Sequence, residues 1–523
     1  MPRNFAPSFC PVVNPARPTA RAWSQAFSQP GRPFEPQPLT LLEGKIPPEI
    51  QGTFYQNGAA RFRRNGAAVG HWFDGDGAIL RVSFEAGQAQ ACYRYVQTAG
   101  YRAEHQADRF LKGGYGMLAP QPWWRRIGSP LSQAIKNTAN TAVLALPDRL
   151  LALWEADRPH ALDLETLETR GQDDLGSLGA GQGYSAHPKR DPKTGDIFNF
   201  GLEAGPVTRL HLYRSDASGQ IRQRAAYALD GVPLIHDMVL AGRYLVFCIS
   251  PVRLDLVPAL LQLRSFSDCL RWHPQRATEI WVFDCDRLER ISRSQAPAWF
   301  QWHFANGFVQ QGEIVLQLVR YSDFRSNALL GEIPRGHLSE TLDGQLWELR
   351  IDPRTAALGE QTCLYDRTCE FPAVMPQEVG QEARTIFFAA HRPQGEIEGE
   401  LMGSLVGIEP RTGGRSQFDF GPHRYLSSPV CLPHPTEPGQ GWVITTVFHG
   451  SGSFNGSGAV AGLGQGNRQA QHQAPSEKSE TTSGPSSEIW IFQSSAIERG
   501  AIAKLALPCP IPFGFHGTWA AKP

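Results

Sequence analysis

The chain has 523 residues, 41% hydrophobic and 19% charged, the make-up of a water-soluble globular protein of one large or a few smaller domains. Fifty basic residues balance fifty acidic ones, so there is no basic field for nucleic acid, and no run of 18 apolar residues is available to span a bilayer. Nine dispersed cysteines without a CxxC pair, and an N-terminus (MPRNFAPSFCPVV) lacking a signal peptide's apolar centre, lead to the expectation of reduced thiols in a cytoplasmic protein.

Residues 1–40, rich in Pro, Arg and Ser, read as an arm that wraps the surface, ahead of a single unit over 41–523. GTFYQNG (52–58) is a strand ending in an Asn-Gly turn signal, and HWFDGDGAILRVSF (71–84) is strand, tight turn, strand. RYLVFCIS (243–250), EIVLQLVRY (313–321), TIFFAAH (385–391) and GWVITTVF (441–448) are further strands. Between them one pattern recurs, an apolar strand meeting a polar or Gly-bearing turn and then a second strand. It occurs at RVSFEAGQAQACY, HALDLETLETRG, HLYRSDASGQIRQR, EIWVFDCDRLERI, LWELRIDPRTAALGE, LVGIEPRTGGRSQF and EIWIFQSSAIERGAI. Anchored on Glu85, Asp163, Asp216, Asp284, Asp352, Glu409 and Gln493, these hairpins are 78, 53, 68, 68, 57 and 84 residues apart. Seven hairpins at blade-length spacing predict an all-β fold, a seven-bladed β-propeller, with a generic hairpin-rich protein as the alternative.

Two stretches break the pattern. LDLVPALLQLRSFSDCLRW (254–272) is apolar and helix-like. With Trp123, Trp124, Arg125 and Arg126 it forms either a membrane-dipping face or a buried cap. Residues 451–486 are a low-complexity insertion with too few apolar residues to bury, expected to be disordered.

His187, His236, His303 and His516 each end or follow a short apolar run, in GYSAHPKR, VPLIHDMV, QWHFANGF and GFHGTW. Gaps of 49, 67 and 213 residues exclude a local metal loop but suit ligands converging on one axis from separate strands. Four imidazoles leave two positions of an octahedral ion open, which favours Fe(II) over a closed structural zinc site. The other eleven of the 15 histidines lie mostly beside charged, Pro or Gly residues, and composition alone does not select four from the fifteen. Glu155, after LLALW, and Glu370, before FP, sit in apolar runs where a carboxylate is costly unless paired. The alternative for each is a strand-end glutamate facing water.

These segments resemble blocks of the carotenoid cleavage oxygenase family, which also includes the retinal pigment epithelium isomerase and the lignostilbene dioxygenases. IPPEIQGTFYQNG (46–58), FDGDG (73–77), KNTANT (136–141), LLALWEADRPHALD (150–163), SAHPKRDP (185–192), IHDM (235–238), HFANGF (303–308), CEFP (369–372) and GFHGTW (514–519) follow the family's order nearly end to end. The likeness is nearest to cyanobacterial apocarotenoid oxygenases. It implies a seven-bladed propeller whose iron-bearing axial face is covered by a dome of helices and loops. It also implies Fe(II) held by His187, His236, His303 and His516, oriented by Glu155 and Glu370. A further family glutamate, in a block like EPxFxP, corresponds here to Ser428 of SSPVCLP, a departure that removes one carboxylate. Thr141 matches a residue whose methyl crowds an open iron position. Phe304, Tyr321 and Phe371 are candidates for lining a substrate tunnel.

The implied reaction is cleavage of a conjugated C=C bond of a carotenoid or apocarotenoid, with O2 as co-substrate and two carbonyl products. The expected partners are a lipophilic polyene and, peripherally, a membrane, with the enzyme acting as a monomer. Two alternatives remain: cleavage of a stilbene-type phenolic alkene on the same iron, which would need a Tyr–Lys pair at the cavity end, and a non-catalytic carotenoid-binding propeller.

Overall fold

A computed structural model of the chain describes residues 21–122, 135–179, 181–393, 398–451 and 484–522. The expectations for residues 1–20, for Trp123, Trp124, Arg125 and Arg126, and for most of the 451–486 insertion lie outside the described residues.

The described residues form an all-β propeller of mostly antiparallel sheets with a few short helices. All seven sequence-predicted hairpins form as antiparallel pairs. Burial follows position within each sheet. Inner strands such as Glu313–Tyr321 are covered on both faces by neighbouring sheets, and read as near-continuous apolar runs. Outer strands such as Ile221–Ala228 (IRQRAAYA) alternate half-buried and exposed, because one face meets water.

Seven separate sheets were expected, and the hydrogen bonding differs. Five sheets contain four to six strands each, and a sixth contains eight. In the eight-stranded sheet two antiparallel halves join where Val239–Ala241 runs parallel to Phe300–Gln310, through the pair Ala241 and Gly307. Gly307 permits this approach: a Cβ there would lie 2.8 Å from Val239 Cγ2 and 3.0 Å from Ala241 Cβ.

Both ends of the chain close the ring. Gly517–Ala521 pairs with Gly52–Arg61, so the last strand enters the sheet begun by the first inner strand. Phe34–Pro38 pairs with Gln88–Tyr95 and Thr40–Gly44 with Ala501–Ala506. The described part of the arm is therefore stitched into two sheets, preceded by a 3-10 helix at Ala22–Phe27.

The 254–272 stretch is not one helix. It folds as two short helices, Leu256–Leu260 and Phe266–Cys269, bracketed by the paired strands Val252–Leu254 and Leu270–Trp272. Pro258 and the serines at 265 and 267 oppose a longer helix. Leu256, Val257, Leu260, Leu261 and Leu263 are exposed, so this is not a buried cap. Among the described residues no helix is long and apolar enough to cross a membrane.

Candidate metal centre

The four histidines stand on separate inner segments and meet. His187 precedes strand Lys189–Arg190, His236 precedes Val239–Ala241, and His516 directly precedes Gly517–Ala521. His303 lies within Phe300–Gln310, where the register shifts between Gln301 and Phe304 and again before Asn306. Such bulges re-aim a side chain out of the regular pleat. Ring closure places His516: its backbone N–H donates to Thr141 O (3.2 Å) and its carbonyl accepts from Asn57 N–H (3.0 Å).

The Nε2 atoms of His187 and His236 are 3.0 Å apart, those of His236 and His303 3.3 Å, and those of His303 and His516 3.0 Å. Nitrogens held about 2.1 Å from one ion at right angles are about 3.0 Å apart, so the spacing fits a shared metal. The donor chemistry agrees. His303 Nδ1 is 2.5 Å from Glu370 Oε2, and His236 Nδ1 faces Glu155 Oε1 at 3.3 Å. A ring that turns its Nδ1–H to a carboxylate presents a bare lone pair at Nε2. The His303 lone pair presented in this way faces the Nε2 atoms of His236 and His516 at 3.3 and 3.0 Å, a setting suited to a shared cation. Burial first, and then the neighbouring imidazoles, hold His187, His236 and His516 well below the usual histidine range, so they stay neutral and able to ligate.

Glu370 and Glu155 both lie beside ring nitrogens of these histidines. Glu370 is buried; its Oε1 accepts from the Tyr321 hydroxyl (2.9 Å) and its Oε2 from Phe371 N–H (2.6 Å). Glu155 also lies 3.6 Å from His187 Nε2, and burial, with nearby Asp237, raises its carboxyl well above the usual range. Among the described residues no carboxylate pairs with His516. Ser428 is buried, and its carbonyl accepts from Gln56 Nε2 (3.2 Å).

Asp237, quoted within IHDM but assigned no role there, knits the site together. Its Oδ2 accepts from Phe304 N–H (2.9 Å) and its Oδ1 lies 2.9 Å from Lys189 Nζ. One buried carboxylate thus ties the segments of His187, His236 and His303 to one another.

A largely apolar cavity opens on the histidines. Thr141, Tyr321, Phe371, His236, His303 and His516 line it, together with Phe73, Trp302, Phe515 and aliphatic residues. Trp302 stands edge-on to His236 at 5.0 Å, and Phe371 lies 5.7 Å from His303 and 5.6 Å from His516. Phe371 holds φ at +56°, a left-handed conformation that a bulky residue adopts only at a cost of about 1–3 kcal/mol. Sequence reasoning missed Trp302, Phe73 and Phe515, although each sits beside a quoted histidine or within a quoted block.

Phe304 does not line this cavity. It packs with Val239, Trp299 and Leu318 and faces a second cavity with Lys189, Ala305 and Trp519. The register shifts on either side of Phe304 set its direction apart from that of Trp302 and His303, which both stay in the wall of the first cavity.

A profile of the family described as retinal pigment epithelial membrane protein matches residues 28–521. Apocarotenoid-15,15'-oxygenase of Synechocystis sp. is 30% identical over 491 residues, 92% of each chain. Resveratrol cleavage oxygenase 1 of Aspergillus fumigatus is 26% identical over 512 residues, 91% of each chain. The solved structure of cobalt-substituted Synechocystis ACO superposes with a TM-score of 0.81 at 28% identity, covering 96% of this chain and 98% of that one. A histidine-ringed cavity in a closed all-β propeller, matched in sequence from end to end, makes this chain a member of the carotenoid cleavage oxygenase family, to which the retinal pigment epithelial membrane protein belongs.

Proposed function

We propose that the protein is an iron(II)-dependent dioxygenase that cleaves a conjugated C=C bond of a carotenoid or apocarotenoid with O2, giving two carbonyl products. The observation that carries this reading is the convergence of four imidazoles beside an aromatic, largely apolar cavity, three of them in its wall. His187, His236, His303 and His516 would hold the ion, Glu155 and Glu370 would orient them, and Thr141 would crowd one of the two remaining positions. Iron supplies the route by which triplet O2 reacts with a closed-shell alkene. The protein's part is placement. Trp302, Phe371 and Phe73 offer ring faces and edges to a flat polyene and keep the site dry.

A phenolic alkene finds less support. Among the described lining residues the phenols are Tyr321 and Tyr425, and their hydroxyls are committed to Glu370 and Glu400. No lysine lines the cavity among the described residues. A non-catalytic carotenoid binder would have no use for four aligned ligands.

Three finer points belong to the same reading. On this reading the eight-stranded sheet would be two blades joined at Gly307, and the ring would have one blade for each hairpin. Ser428, in place of a glutamate, leaves the ion with one negative charge fewer around it. The exposed Leu256, Val257, Leu260, Leu261 and Leu263 support a membrane-facing entrance on this side for a lipophilic substrate.

The test is incubation of iron-loaded protein, wild type and His303→Ala, with carotenoids, apocarotenals and stilbenes under 18O2, with products identified by mass spectrometry. Labelled carbonyl pairs from the carotenoid series, lost in His303→Ala, are expected. Cleavage of stilbenes alone, or of nothing, refutes the reading. Metal titration of Ser428→Glu alongside should show tighter binding; an unchanged affinity makes that position unimportant.

A further inference from the structure

The cavity wall divides between two apolar clusters. Trp302 and Tyr321 pack with Leu254, Ala259 and Leu270, beside the exposed 256–263 segment. Trp72, Leu401, Tyr425 and Phe513 pack instead with the N-terminal helix Ala22–Phe27. That helix contributes nothing to the lining itself; it stands behind it. Phe27 is buried, with ring centroids 5.5 Å from Trp72, 5.7 Å from Phe513 and 4.8 Å from Phe62.

The helix is fastened there by specific contacts. Trp23, wholly buried, donates from Nε1 to Gly399 O (2.9 Å), two residues before the lining residue Leu401. The Gln25 amide bonds the Ser451 backbone in both directions, to its carbonyl (3.1 Å) and from its N–H (3.0 Å). Gly450 admits the helix backbone so closely that a Cβ would lie 2.5 Å from Ala22 O. A six-residue 3-10 helix with no side-chain cap has little stability of its own. Its place is set by the wall it backs, and the wall's Trp72 and Phe513 have Phe27 behind them instead of solvent.

We propose that this helix is the stopper of the cavity at the end away from residues 256–263, and that Phe27 is a positioning residue for substrate length. Acting through Trp72 and Phe513, it sets how much of an elongated polyene fits beyond the metal centre. The proposal deepens the polyene-cleavage reading and rests on it.

The experiment takes wild type, Phe27→Leu, Phe27→Val and Phe27→Ala through a ladder of apocarotenals differing by one isoprene unit. Binding is read from tryptophan fluorescence quenching, turnover from kcat/KM, and folding from denaturant melts. The expected result is a graded shift toward longer members, about fivefold or more in relative kcat/KM for Phe27→Ala, with Phe27→Leu close to wild type. A merely structural role would lower stability and leave the length order unchanged. A folded Phe27→Val with the wild-type order in both readouts overturns the proposal. If wild type binds no member of the ladder, the functional reading itself falls, and the stopper with it.

Discussion

Replacing Tyr321 with Phe isolates one bond at the site. The Tyr321 hydroxyl donates to Glu370 Oε1 at 2.9 Å, while His303 Nδ1 and Phe371 N–H both use Oε2. No other donor reaches Oε1 among the described contacts, and Tyr321 and Glu370 are both buried. The substitution keeps the ring and the cavity wall, and deletes one hydrogen bond to a buried carboxylate. A bond to a charged group is worth about 1.5–3 kcal/mol, and the oxygen left behind is not resolvated. Metal affinity should fall as well, by about 10–100-fold, the usual effect of disturbing a group that orients a ligand imidazole. Two measurements check this: denaturant unfolding in chelator for the first quantity, and titration with Fe(II) or Co(II) for the second. Tyr425→Phe serves as the control, since its hydroxyl pairs with Glu400 and not with a glutamate bound to a histidine. Unchanged metal affinity in Tyr321→Phe, or an equal loss in the control, would refute the argument.

Stability should fall on acidification. Burial holds His71, His160 and His391 down to about 4, against an ordinary value of 6.5, so between those limits the unfolded chain binds more protons. Each contributes a loss of up to about 1.4 kcal/mol per pH unit as pH drops through that window. Asp74, raised by burial to about 6, acts in the opposite sense, since its folded form takes up the proton first. His187, His236 and His516, held lower still, add to the loss, while Glu155 and Glu378 act with Asp74; six groups against three leave a net loss, and urea unfolding at pH 7, 6 and 5 that showed constant or rising stability would contradict it. On the outer surface, Val257→Asp with Leu260→Asp removes two exposed apolar side chains, each worth about 1.5–3 kcal/mol if inserted in lipid. Vesicle co-sedimentation should weaken tenfold or more while detergent-dispersed substrate is still cleaved; unaltered partitioning removes the membrane role.

The sequence by itself determined the local pieces. Each of the seven hairpins needs only a turn-forming centre and flanking strands of the right period, information contained in about a dozen residues, and all seven form. The histidines and glutamates were legible as residues, and the family likeness told four of the fifteen histidines apart. Tertiary structure alone decided where they meet, because ligands 49 to 213 residues apart become neighbours only when the ring closes and Gly517–Ala521 joins the first sheet. It also decided direction. Phe304 and Tyr321 looked equivalent in the sequence, yet register shifts beside Phe304 accompany its turn into a different cavity, while Tyr321 reaches Glu370. The fusion of two halves into one sheet depends on what packs against a missing Cβ at Gly307, a contact between strands more than sixty residues apart that no local pattern encodes.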